Sequence, residues 1–197
     1  MTTIHDLAAA VADALDRGLD GEEAVEAMRP AMRAFLDVAE SELTDTQRAG
    51  VDGGAAGHLL YEDPAERFHI ISVVFPPGTS SGIHEHGCWG IIGYLQGLDE
   101  EASYRRVDGG EGADDVVLEK VAEVTHQPGE VSRLLPPDEM FHRVRNPGVE
   151  DGVSIHVLCM GPESHPHRYW DRDARRLLPF PFRKMDGGVV RAEVIFD

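Results

Sequence analysis

His84, His86 and His142 are the side chains of this sequence whose types and spacing best suit chemistry. His84 and His86 are separated by one residue. On a strand, alternate side chains share a face and lie about 6.5 Å apart along the chain, so the two imidazoles converge on one point while Glu85 points away. Glu85 is therefore not expected to be a ligand. His142 lies at the start of a second β-like run, and a remote imidazole of this kind closes a facial set of three ligands around one metal ion. Three imidazoles gathered from two strands would otherwise be an expensive group to bury.

Elements of two kinds must position these residues. From Ile4 to about Val38, apolar residues recur at spacings near three and four (Leu7, Val11 and Leu15, then Ala24, Met28, Met32, Phe35 and Leu36), which predicts two helices broken at Gly18 to Gly21. Glu22 and Glu23 favour the N-terminal dipole of the second helix, and Pro30 is expected to kink or divide it. Residues 49–57, rich in glycine and poor in large apolar groups, read as a connector. Beyond them the period changes to two. Short β-branched and aromatic runs at 68–75, 88–96, 102–107, 116–124, 131–135, 141–145 and 153–158 alternate with Gly, Pro and Asp turn signals. That pattern predicts an antiparallel sandwich or barrel. The expected organisation is a helical cover over 1–48 and a barrel over 57–197 whose end, around Pro179 to Phe182, packs over the body as an extended tail, all within one structural domain.

Composition narrows the partners. The 197 residues carry a formal net charge of −18, which repels phosphate backbones and anionic lipid surfaces, so neither nucleic acid nor membrane is an expected partner. The first six residues have neither the basic start nor the apolar stretch of a secretory signal, and no run suits a membrane span. Cys88 and Cys159 are too few for a disulfide framework. A cytoplasmic protein with two free thiols is expected.

The order Gly78, five residues, His84-x-His86 and then Gly97, followed by Pro137 to Asn146, resembles the two motifs of the cupin superfamily. The resemblance implies a mainly β fold, a double-stranded β-helix (jelly-roll) barrel with N-terminal α-helices packed against it, and a metal in the barrel mouth. Cupins usually add a Glu ligand four or five positions after the second histidine, where this chain has Gly90 and Ile91. The three-histidine set is similar to that of the thiol dioxygenases, which hold Fe(II) without a carboxylate. Leu59 to Phe68, His84 to Gly93 and Ser154-Ile155-His156 resemble the 3-mercaptopropionate branch more than the cysteine branch.

That likeness implies His84, His86 and His142 as iron ligands and Ser154 and His156 as the first members of a Ser-His-Tyr chain beside the iron. Ser154 and His156 alternate on a strand, so the hydroxyl can orient the imidazole. Leu158 stands where the family has its Tyr. Tyr94, an even number of residues from His84 and His86, is a candidate for the missing donor or for core packing. Arg168 falls near the family's second position for a carboxylate clamp and is the expected substrate-binding cation, with Arg67 and Arg143 as alternatives. By the parity argument Cys88 faces the site as a small filler or as a reactive thiol, Cys159 faces the opposite way, and Trp89 packs under the helices. His165 and His167, flanking Pro166, resemble a metal-binding tract only weakly and read as mobile surface groups, and His5, His58, His69 and His126 receive no role. The function implied is Fe(II)-dependent oxidation of a small, carboxylate-bearing thiol by O2 to its sulfinic acid. The alternatives are a metal-dependent cupin enzyme with a non-thiol substrate and a non-catalytic ligand- or metal-binding cupin.

Overall fold

A computed structural model of the chain describes residues 2–110, 112–135, 141–160 and 166–192. Helix α1 spans Ile4–Asp16 and α2 spans Gly21–Glu42. Thr3 caps α1 reciprocally: its hydroxyl accepts from the Asp6 amide at 3.3 Å, and the Asp6 carboxylate accepts from the Thr3 amide at 2.7 Å. Pro30 does not divide α2, which runs unbroken. The face bearing Met28, Met32 and Phe35 is fully buried against the sheet below, and this packing holds the helix through the missing N–H.

Thirteen strands follow among the described residues: β1 Ala56–Glu62, β2 Phe68–Phe75, β3 His84–Glu85, β4 Trp89–Gln96, β5 Asp99–Arg106, β6 Leu118–His126, β7 Val131–Leu134, β8 Phe141–Arg145, β9 Gly152–Cys159, β10 Arg168–Asp171, β11 Arg176–Pro179, β12 Phe182–Lys184 and β13 Val189–Ala192. They form two antiparallel sheets, ordered β12-β13-β1-β2-β9-β4-β7 and β11-β10-β3-β8-β5-β6. The inner eight strands, β2-β9-β4-β7 and β3-β8-β5-β6, are interleaved as a jelly roll, the double-stranded β-helix of the cupin fold. The fold is therefore mainly β, with the two helices laid on the outside of the barrel.

Alternation on the central strand β9 divides its side chains between two cores. Ile155, Val157 and Cys159 join the helices, whereas Leu158 belongs to an interior cluster with Cys88, Ile92, Tyr94 and Leu134. Trp89 packs against the helix-facing core, in line with its phase.

Two segments differ from the sequence reading. Residues 56–57, read as connector, begin β1, because the edge of β2 offers a ladder that a glycine-containing segment can join. The region after Met160 is not a plain tail: β10 and β11 extend one sheet from β3, while β12 and β13 extend the other from β1.

Candidate metal centre

The loop leading to the histidines is fastened to β8 before β3 begins. The Gly78 amide donates to the Asn146 carbonyl at 3.0 Å, the Ser81 amide to the Val144 carbonyl at 2.9 Å, and the Val144 amide to Ser81 Oγ at 2.9 Å. This lacing fixes the register in which His84 lies directly opposite His142. An antiparallel pair in register shows its side chains on one face, so two strands far apart in sequence deliver two imidazoles to one point. Gly87 then takes a positive φ of 66°, a conformation that favours glycine, and the chain turns away immediately after His86.

The three Nε2 atoms meet. His84 and His86 are 3.2 Å apart at Nε2, His86 and His142 3.0 Å, and His142 and His84 3.2 Å. Their outer nitrogens are already engaged: His84 Nδ1 with the Gly82 carbonyl at 3.1 Å, and His142 Nδ1 with Glu101 Oε1 at 2.7 Å. His86 Nδ1 lies against His167 Nε2. A carbonyl or carboxylate oxygen can only accept, so His84 and His142 carry their protons on Nδ1, and both Nε2 lone pairs point into the shared space. Lone pairs at this distance repel unless a cation lies between them. Two nitrogens each about 2.1 Å from an ion and at right angles are about 3.0 Å apart, and tetrahedral angles open this to about 3.4 Å. The observed spacings fall in that interval, and the residues fit a bound divalent ion. Burial, reinforced by the neighbouring imidazoles, holds the pKa values of His84 and His86 well below the ordinary histidine value and keeps them available as neutral ligands.

Glu101 supports this arrangement. Besides His142 it accepts from His126 Nε2 at 2.9 Å and from the Tyr94 hydroxyl at 3.2 Å. Burial works to raise its pKa, but the bonds from His126 and His142 outweigh that and hold it well below the usual carboxylate range. Burial opposes protonation of His126 as well. Its bonds to Glu101 and Glu130 prevail and raise its pKa. Tyr94 stacks on the His126 ring with centroids 4.0 Å apart, and its hydroxyl also meets Ser132 Oγ at 2.9 Å.

Ser154 Oγ lies 3.0 Å from His156 Nε2, and the His156 ring stands 6.0 Å from that of His86. His156 Nδ1 is buried with no hydrogen-bond partner, and burial lowers the imidazole pKa to about 3.

The structure thus brings His84, His86, His142, Ser154 and His156 together. Arg168 is placed elsewhere: it pairs with the buried carboxylate of Glu85, across the β3–β10 ladder, and does not line the cavity over the histidines. Tyr94 reaches His142 only through Glu101. Leu158, fully buried, and Cys88, whose thiol is pushed up to about 12 by burial, pack in the interior cluster. Arg67 pairs with Asp63 and Asp16, and Arg143 with Glu100 and Glu123. Pro137 and His165 lie outside the described residues. His167 is not a mobile surface group, because its ring sits 4.3 Å from that of His86. Glu101 escaped the sequence reading inside the acidic run from Asp99. No sequence signal marked it, because only the β5–β8 pairing, which sets Ser103 opposite His142, brings Glu101 to the site.

Strand order and site define a class: a double-stranded β-helix protein with three convergent imidazoles in the barrel mouth. More particularly, its strand order is that of the cupin barrel and its histidine group is fit to hold a metal ion. No protein-family model matches the chain. Similar solved structures include a double-stranded β-helix domain protein from Klebsiella pneumoniae, at 16% identity and TM-score 0.43 over 61% of this chain and 89% of that one. A cupin 2 conserved barrel domain protein from Salinispora arenicola is 25% identical, with TM-score 0.42 over 60% of this chain and 87% of that one. Oxalate decarboxylase from Bacillus subtilis is 19% identical, with TM-score 0.38 over 51% of this chain and 23% of that one. No helix among the described residues is long and apolar enough to cross a membrane.

Proposed function

We propose that the protein is an Fe(II)-dependent thiol dioxygenase, converting a thiol RSH and O2 into the sulfinic acid RSO2H. Both oxygen atoms join the sulfur, which supplies the electrons that reduce them, and the former thiol proton leaves with the acid. The observation that carries this reading is the ligand set: three imidazoles with no carboxylate oxygen among them. A ferrous ion held there supplies undiminished positive charge, which keeps a thiol ionised, and the electronic chemistry that O2 requires.

The chain's own residues then do three things. His84, His86 and His142 would hold the ion at the wall of the cavity. Glu101 and the Gly82 carbonyl fix two of these rings in the tautomer that presents Nε2. Ser154 donating to His156 Nε2 leaves a proton on His156 Nδ1, the buried atom without a partner beside the histidine trio, where it can meet a charged oxygen or sulfur. The partners proposed are a small-molecule thiol and O2, and the two buried free thiols suit a reducing cytoplasm.

Oxygen consumption by iron-loaded protein over a panel of thiols tests the reading. Thiol-dependent uptake with matching sulfinate supports it. A second reading, a metal-dependent cupin enzyme with a non-thiol substrate, draws support from the engagement of Arg168 with Glu85, and it is favoured if the metal binds and no thiol stimulates uptake.

A further inference from the structure

The cavity over the histidines has a volume of about 610 Å³. That lies well inside the roughly 300–1,000 Å³ range of pockets that enclose drug-sized ligands. A mercapto acid of about half a dozen heavy atoms would leave most of it to water. The imidazoles occupy one end. Elsewhere the wall is mainly apolar, with Ile71, Val73, Phe75, Val144, Met160 and Phe180 on it beside the polar Ser81 and His69, and Phe180 stands edge-on to the His84 ring at 5.3 Å. No arginine is among the described lining residues. The charged side chains that line the cavity, Glu62 and Lys184, are both exposed. A small thiol acid bound through its sulfur would need a cation close to the histidines, and the described wall offers apolar surface instead.

We propose that the substrate is a bulky thiol with an apolar body, its sulfur at the histidine end and its hydrocarbon or aromatic part lying against β2, β8 and β13. The sulfur rests on the thiol dioxygenase reading, whereas the size and polarity of the body rest on the walls alone. Each methylene buried on such a surface strengthens binding by about fourfold. A polar mercapto or amino acid gains nothing comparable.

The test separates binding from turnover. The full-length, metal-free protein is loaded with the apolar dye Nile red and titrated with 3-mercaptopropionate, with butanethiol, pentanethiol and hexanethiol, and with the matching alcohols. Oxygen uptake by the iron-loaded protein is then measured with the same thiols. Displacement should strengthen by about fourfold per methylene in both homologous series. It should weaken at least tenfold in Val73→Phe, which fills the cavity from β2, and in Val190→Phe, which fills it from β13, so that one folded variant suffices. Uptake should favour the longer thiols. Affinity that does not change with chain length, or displacement untouched by a folded variant, overturns the proposal. Uptake with 3-mercaptopropionate and not with the longer thiols overturns it while sustaining the thiol reading. Length-dependent binding of both series with no uptake overturns the thiol reading and the sulfur with it, while upholding the apolar body.

Discussion

Glu101→Gln removes one charge from the centre of the site while keeping the side chain's size. Glu101 accepts from three donors, at 2.7 Å from His142, 2.9 Å from His126 and 3.2 Å from Tyr94. A glutamine offers one accepting oxygen and places an NH2 group against a neighbour that is itself a donor. If the oxygen stays on His126, the His142 Nδ1–H loses its acceptor, the ring is free to rotate or change tautomer, and Nε2 no longer points reliably at the other two imidazoles. Loss of such a supporting carboxylate costs about 10- to 100-fold in metal affinity, or roughly 1.4–2.7 kcal/mol. No cavity opens, so the stability change is confined to the lost charge-assisted bond, about 1.5–3 kcal/mol. Chelator competition gives the affinity, and thermal melting followed by circular dichroism shows that the variant folds. His126→Ala is the control, because it removes a partner of Glu101 and leaves the bond to His142, so its effect on affinity should be smaller. A folded Glu101→Gln protein that binds metal within about twofold of the parent would refute the argument that this carboxylate orients the ligand.

Three further outcomes are expected. His84→Ala should abolish metal retention and oxygen uptake while leaving the circular dichroism spectrum unchanged, because the ladders of β3 with β8 and β10 are made by the backbone; metal content and the spectrum check this. Leu158→Tyr should lower stability by about 1–3 kcal/mol in denaturant unfolding, because a phenol must fit into a fully buried cluster beside Tyr94 and Cys88. Asp99 is buried near Ser154 but makes no hydrogen bond of good geometry, and burial raises its pKa from 3.8 to about 6. Between those values the folded state holds a proton that the unfolded chain has released, so stability falls as pH rises through this window, by about 3 kcal/mol in all. Asp99→Asn should therefore raise Tm at pH 8 relative to the parent and leave it little changed at pH 4; equal gains at both pH values would contradict the assignment.

The sequence exposed the parts of this protein that periodicity governs. The alternation that placed His84 and His86 on one face also separated Leu158 from Cys159, and the structure puts these two in different cores. The helices were legible because Met28, Met32 and Phe35 repeat on one buried face, and the same burial explains why Pro30 failed to divide α2. What stayed hidden depends on contacts remote in sequence. β1 contains Gly57 and gains its order from β2 on one side and β13 on the other. Glu101 looks like part of an acidic surface run until β5 is laid beside β8. His167 becomes a partner of His86 only when β10 pairs with β3, and the same pairing delivers Arg168 to Glu85. Motif spacing could locate Arg168 near the site, but only the register shows which face its side chain takes.

The proposed chemistry depends on one ion held by three imidazoles. Anomalous diffraction from crystals of metal-loaded protein, collected at the absorption edge of the metal, locates that ion directly. A single peak bonded to Nε2 of His84, His86 and His142, with no carboxylate oxygen coordinated, is the result predicted. A peak bound elsewhere, or one ligated by Glu85 or Glu101 in place of an imidazole, would contradict it.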